Sequence, residues 1–259
     1  MIKINGSPIS APEALTLGFR LVLQPDLRVF ILVPLLINLV LFFILTAWLL
    51  HEFGLLMDGL MGWLPGWLSF LGSILWLIAA FLLIFVYGYS FSIISNLIAA
   101  PFNGFLAERI EVKLTGVAPP PEPLSAMIPR TLARELLKLW YFISRGLLLM
   151  IGLLVLSFIP ILQLLTPLIA ALWGAWCMAI QYTDYPADNH KTPFKQLRGQ
   201  LMDQSMGSFS LGGLIMLGSM IPLVNIFVTP IAVAGATVFW LRDINGRPLN
   251  PEALLPLKR

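Results

Sequence analysis

The first residues able to do chemistry stand in one short run, Gln24-Pro25-Asp26-Leu27-Arg28, immediately before a long uncharged stretch. A helix beginning here leaves its first backbone N–H groups without intrahelical partners. The Arg28 guanidinium beside such groups suits a tetrahedral oxyanion, which takes several hydrogen bonds and a positive charge at once. A single Arg at this place also suits a side chain reaching up to lipid headgroups. Both readings are open from the residues alone.

Further polar groups are sparse and placed inside apolar surroundings. Asn38 and Asn96 fall within long apolar runs, where an amide either joins helices or lines a path. Asn103, Glu108 and Arg109 follow a break expected at Pro101, and they are candidates for a cytoplasmic mouth. Thr166-Pro167 and Thr229-Pro230 each read as an N-cap followed by proline at the first helical position. Each pair predicts a helix start whose positive dipole end attracts anions, or a proline that only shapes a turn. Asp184, Asp188 and His190 crowd one charged segment, but a lone His makes a loop held by side-chain turns the better reading than a metal site. Arg130, Arg134 and Lys138 recur every four residues, with Leu132, Leu136, Leu139 and Trp140 opposite. That pattern predicts a basic amphipathic helix lying on anionic lipid over about residues 125–145.

What must position these groups is set by where charge is missing. The 259 residues are 58% apolar and 11% charged, with a mean hydropathy of +0.88. A water-soluble domain is about 25% charged, so a soluble enzyme, a nucleic-acid binder and a disordered chain are excluded. An integral membrane protein in contact with membrane lipids remains. The 22 residues 29–50, the 49 residues 59–107, and the 38 residues in each of 146–183 and 204–241 carry no charge. A helix of about 20 residues crosses a ~30 Å hydrocarbon core. Residues 30–50 therefore predict one full transmembrane helix. A second spans 67–100 and continues amphipathically to about 114. The intervening segment 51–66 begins the loop between them, is turn-rich from Gly59 to Gly66, and has no Lys or Arg. All 16 basic residues lie elsewhere, which puts that loop outside and both termini, including the tail 242–259, in the cytoplasm.

The two 38-residue gaps repeat a pattern. Ser157-Phe-Ile-Pro160 and Ser219-Met-Ile-Pro222 are each followed by an apolar stretch with one amide, then by Thr166-Pro167 or Thr229-Pro230. Corresponding prolines lie 62 and 63 positions apart. Prolines cut the gaps into pieces of roughly 12–18 residues, short for a full crossing. Two helical hairpins that enter from the cytoplasm and turn inside the bilayer fit these lengths. Four thin spans give the same charge topology. Cys177 is the one cysteine, so no intrachain disulfide forms, and no sequence motif calls for a metal or other cofactor, ATP hydrolysis or an enzymatic nucleophile.

Two stretches, Ala99-Ala-Pro-Phe-Asn-Gly-Phe-Leu-Ala-Glu108 and Ile180-Gln-Tyr-Thr-Asp-Tyr-Pro-Ala-Asp-Asn-His-Lys-Thr-Pro-Phe-Lys195, resemble signature stretches of the bacterial CysZ sulfate permease family. The likeness runs from about Ala14 to Trp240. It implies ATP-independent sulfate uptake across the inner membrane, feeding sulfate assimilation and cysteine synthesis. It also implies an all-helical homo-oligomer with two long spanning helices and two hairpins that penetrate part-way. The family's Gly-Leu-Arg sulfate turn falls on Asp26, Leu27 and Arg28, with Asp26 in place of Gly and Val29 in place of a second Arg. The expected fold is thus all-α and membrane-integral: two long helices, two Pro-broken hairpins and a surface helix. A non-conducting membrane scaffold, or a carrier of another oxyanion such as sulfite or thiosulfate, is the alternative.

Overall fold

The computed structural model describes residues 9–63, 65 and 69–250, without side-chain detail at 69, 70, 89 and 222–226. Trp67, expected to begin the second helix, the tail beyond residue 250 and the Asn225 side chain lie outside the described residues. The described residues form α-helices and helical turns with no strand. The elements are α1 (Ala11–Val22), α2 (Val29–Gly62), α3 (Ser69–Thr115), α4 (Leu124–Ser157), α5 (Thr166–Asn189), α6 (Phe194–Asp203), α7 (Ser205–Ser219) and α8 (Pro222–Phe239). Five helical stretches among them are long and apolar enough to cross a membrane.

Residues 32–99 form one compact unit; residues up to 31 and from 100 onward form another. In the 32–99 unit, α2 pairs with α3 through aromatic and hydroxyl contacts. Thr46 and Tyr87 share a hydrogen bond of 2.6 Å, and Phe42 meets Phe91 edge-on at 5.6 Å. The segment expected as a turn-rich loop differs from expectation. Helix α2 runs on through Gly59 to Gly62, since no proline interrupts it there and a helix tolerates isolated glycines at a cost of about 1 kcal/mol. Pro101 likewise does not break α3, which continues from Ser69 to Thr115.

In the other unit, α8 is the core helix. Ala232, Val233, Ala234, Ala236, Val238 and Phe239 are buried, and α1, α5 and α7 surround them. Close approach needs glycine. A Cβ on Gly18 of α1 would lie 2.5 Å from the Gly235 nitrogen of α8, and one on Gly212 of α7 would lie 1.8 Å from the Ala175 carbonyl oxygen of α5. Helix α1 starts at a capping interaction in which the Glu13 carboxylate accepts from the Ser10 N–H (3.1 Å) and hydroxyl (2.9 Å).

The expected surface helix and the first hairpin leg are one helix, α4, unbroken across Arg145 and Gly146. Its orientation reverses the lipid-facing expectation. The basic stripe points inward, toward the acidic residues of α5. Arg134 donates to Asp184 (2.9 and 2.7 Å), Lys138 pairs with Glu135 (2.6 Å) and Asp184 (3.2 Å), and Arg130 pairs with Asp188 and Glu122. The Lys138 side chain is 1% exposed, whereas Leu136 is 54% and Trp140 69% exposed. A ladder with Arg or Lys at 130, 134 and 138 meets Asp at 184 and 188, so each charge is neutralised inside the protein and the apolar face turns outward. The segment holding Asp184 and Asp188 is accordingly helical through Asn189 rather than a loop.

The repeat survives at the ends of the two leading legs. Both α4 and α7 stop at its serine, and Ser157 and Ser219 each donate to the carbonyl three residues back at 2.7 Å. Past that point the hairpins diverge. The first turns through 158–165, with Ile161 at φ +74°, a costly backbone region for a β-branched residue. The second turns over Met220 and Ile221 alone, and Pro222 opens α8. Thr229-Pro230 therefore lies inside α8, not at a helix start. Thr166 opens α5 with Pro167 next, without a capping bond from its hydroxyl.

Two outcomes test this packing. Gly212→Ala should cost at least about 1–3 kcal/mol, because a backbone carbonyl cannot swing aside as a side chain would. Gly199→Ala, with open space around it, should stabilise by about 0.5–1 kcal/mol. Thermal unfolding in detergent reads both; matching midpoints would mean that α5 and α7 do not cross at Gly212. Lys138→Met should destabilise by about 3–5 kcal/mol by stranding the buried Glu135 and leaving Asp184 to Arg134 alone, while Leu136→Met on the outer face should leave the midpoint nearly unmoved.

Candidate functional site

The turn between α1 and α2 is a chain of short-range hydrogen bonds. The Leu27 N–H donates to the Gln24 carbonyl (3.1 Å), and the N–H groups of Phe30 and Ile31 donate to the carbonyls of Leu27 (3.2 Å) and Arg28 (3.0 Å). Leu27 is buried and fixes the turn, so its side chain is an anchor rather than a ligand contact. Arg28 is exposed and folds back, with Nε and Nη2 donating to the Leu23 carbonyl at 3.1 and 3.0 Å. That uses one edge of the guanidinium on the end of α1.

Asp26 and Leu27 share an open cleft of 360 Å³ with Phe30, Arg109, Val112 and Lys113. Arg109 and Lys113 are four residues apart on α3 and so share a helix face. Lys113 donates to both Asp26 carboxylate oxygens, at 3.0 and 2.8 Å. This hydrogen bond holds the Asp26 carboxyl below the usual Asp value. A lowered carboxyl pKa stabilises the fold above the unfolded value and loses that contribution as pH falls through the folded one. The pair is solvent-facing, with side chains 29% and 61% exposed, so its worth is at most about 1 kcal/mol. Arg109 is exposed and has no acidic partner among the described residues, which leaves the cleft net positive.

The other sequence candidates separate. Glu108 does not share the Arg109 cleft, because adjacent residues on a helix point about 100° apart. It lines a second cleft of 240 Å³ with Phe105, Glu122, Arg130 and Asn189. Asn103 is buried beside Tyr185, and the Asn189 side chain donates to the Gly104 carbonyl at 2.8 Å. Asn103 therefore helps hold α3 to α5. Thr229 lies beside Tyr182, while the Thr166 hydroxyl is buried without a partner among the described residues. Asn38 and Asn96 belong to the 32–99 unit; the Asn38 carbonyl oxygen is buried and unpartnered there, and Asn96 is exposed.

Two groups escaped the sequence reading. Lys113 was one charge among several in an amphipathic run, although its spacing of four from Arg109 was a usable signal. Glu111 is fully buried, with His190 Nε2 at 2.8 Å and Arg247 Nη1 at 2.6 Å. His190 also packs against Trp240 at 5.0 Å. Among the described residues no group of three His, Cys, Asp or Glu side chains is arranged to hold a metal ion.

Comparison with known proteins places this geometry. The family model described as Sulfate transporter CysZ/Etoposide-induced protein 2.4 matches residues 14–230, which contain the turn, the cleft, the first proline-marked hairpin and the second as far as Pro230. A protein of Pseudomonas fluorescens (strain Pf0-1) named Sulfate transporter CysZ is 48% identical over 239 residues, covering 91% of this chain and 94% of that one. Proteins of the same name from Pseudomonas aeruginosa and Salmonella paratyphi A are 42% and 43% identical, covering 93% and 86% of this chain and 98% and 88% of their own. Likeness of this degree, along nearly the whole length and through every element that builds the cleft, means that the chain belongs to the Sulfate transporter CysZ/Etoposide-induced protein 2.4 family.

Proposed function

We propose that this protein carries sulfate inward across the bacterial inner membrane without ATP, supplying sulfate assimilation and cysteine synthesis. The observation that carries the reading is the family match over 14–230, since it takes in the 26–28 turn and its cleft as well as the apolar helices. Both termini are cytoplasmic, the protein is a homo-oligomer, and the hairpins enter the bilayer part-way. Its role is transport, not catalysis.

Sulfate meets the protein at the cytoplasmic mouth formed by the 26–28 turn and Arg109. Arg28 offers the guanidinium edge not committed to Leu23, and Arg109 supplies the uncompensated charge of the cleft. Asp26, which stands where the family turn has Gly, is neutralised by Lys113, so the mouth remains attractive to a dianion. Asn38 and Asn96 are the uncharged polar groups that the 32–99 unit offers the ion, and Thr166 and Thr229 are those that the other unit offers; Asn103 and Glu108 stand on α3 outside the Arg109 cleft. With no charged side chain between 59 and 107, binding within the bilayer is weak and dipolar, which favours release as well as uptake.

Purified protein in liposomes with radiolabelled sulfate tests this. The wild type should give sulfate flux that Arg28→Ala reduces; no wild-type flux would identify a scaffold, and unchanged flux in the variant would remove Arg28 from the mechanism. Competing sulfite or thiosulfate that outpaces sulfate would reassign the substrate. Asp26→Asn frees Lys113 and removes a negative charge, so sulfate affinity should rise by about fivefold, equivalent to about 1 kcal/mol for an exposed charge. A fall in affinity would show that Asp26 positions the site instead of opposing it.

A further inference from the structure

Every basic residue of the inward ladder has an acidic partner. Arg130 is matched by Asp188 and Glu122, Arg134 by Asp184, and Lys138 by Glu135 and Asp184. Arg198 of α6 is packed beside that ladder and is not matched. No ion pair reaches it among the described residues, and its Nε is buried without a hydrogen-bond partner. A charged donor shut away from water in this way is unfavourable unless something accepts from it.

The surroundings of Arg198 are a rigid aromatic frame. Its guanidinium carbon lies 4.4 Å from the centre of the Tyr141 ring and 5.0 Å from that of Phe194. Those rings meet edge-on, 5.5 Å apart at 81°, and the Tyr141 hydroxyl accepts from Trp176 Nε1 at 3.2 Å. Phe194 and Arg198 are four residues apart on α6, flanked by the fully buried Leu197 and Leu201. Arg134 sits over the same Phe194 ring at 5.1 Å. Two guanidinium groups thus share one ring, and a carboxylate neutralises only one of them.

Stacking on ring faces uses the flat sides of a guanidinium and leaves its N–H edge to donate. An edge of Nε–H and Nη–H matches two oxygens of a tetrahedral oxyanion. We propose that Arg198, framed by Tyr141 and Phe194, is a second oxyanion subsite, built from α4 and α6 and so from different elements than the 26–113 cleft. Its ligand is a tetrahedral oxyanion: sulfate itself, or the phosphate of a phospholipid headgroup. The identification of sulfate as ligand rests on the transport reading above; the subsite itself does not.

The test is equilibrium binding of radiolabelled sulfate to full-length detergent-purified protein, with phospholipid phosphorus measured on the same samples. Wild type, Arg198→Gln and Arg198→Lys are compared after size-exclusion chromatography and thermal unfolding confirm that each is folded. Arg198→Gln should weaken sulfate binding about tenfold or more, or lose the retained phospholipid. Arg198→Lys keeps the charge but loses the fork, so it should show a smaller loss of the same kind, and it carries the test if the Gln variant does not fold. Loss of sulfate binding assigns the subsite to the transported ion. Loss of phospholipid with no wild-type sulfate binding keeps the subsite and overturns the sulfate reading. Sulfate binding and phospholipid content both unchanged in the folded variants would overturn the subsite and leave the sulfate reading intact.

Discussion

The ladder of opposite charges between α4 and α5 is the constraint on which the larger unit depends. Away from water no solvent stabilises a bare ammonium or carboxylate, so charges on a buried helix face must be satisfied from within the protein. Arg130, Arg134 and Lys138 meet Asp184 and Asp188 in register, with Glu122 and Glu135 completing the set. A slip of one helical turn, about 5.4 Å, would move every cation past its partner at once. Such buried pairs add little net energy relative to an apolar interface, yet each is costly to leave half-made. Their effect is to allow one relative position of the helices. The outer face of α4 is then free to be largely apolar from Leu124 to Val155, with Arg145 as an exposed charge along it.

With that register set, close packing does the rest. Helix α8 is enclosed by α1, α5 and α7, and its crossing with α1 brings Gly18 and Gly235 nearly into backbone contact. Glycines at such crossings gain dispersion contacts without large side chains, the usual means of holding helices where lipid is as apolar as the core. The fully buried Trp240 and Leu241 extend this core past α8 toward His190 and Glu111. The α3–α5–α8 cluster thereby keeps its polar groups beside apolar ones of fixed position.

Much of the helical organisation was legible in the sequence, and the misreadings have definite physical causes. Absence of charge located the apolar helices because charged residues are costly in lipid. The Ser-x-Ile-Pro repeat located the ends of α4 and α7 because a serine hydroxyl can bond back to its own helix where the next proline ends it. The Thr-Pro pairs did not transfer equally, since Pro222 had already opened α8 eight residues before Pro230 and a proline inside a packed helix need not end it. The stripe at 130, 134 and 138 gave a true helix and two true faces but the wrong outside. Periodicity fixes which residues share a face; only the partner segment, here Asp184 and Asp188, decides whether that face looks inward. Helix α1 was unread because its 12 residues are too few to cross a bilayer and it lies outside the long uncharged runs, although Ser10 and Glu13 carry a capping signature.

The mouth was legible as a turn but not as a charge balance. Alone, Asp26 in the place of Gly reads as repulsion toward a dianion. The fold brings Lys113, 87 residues away, onto both carboxylate oxygens, and the turn regains neutrality without regaining glycine. An acid and a base added together leave the net field of the cleft to Arg109, while the pair stiffens the junction between the start of α2 and the end of α3. The same reasoning distinguishes Arg28, Arg109 and Arg198 from one another. Arg28 is partly satisfied by a carbonyl, Arg109 is in open solvent, and Arg198 is half-buried with a covered, unpartnered Nε. Enclosure raises the electrostatic value of any anion that reaches a cation, so the least exposed unpaired donor has the most to gain from one.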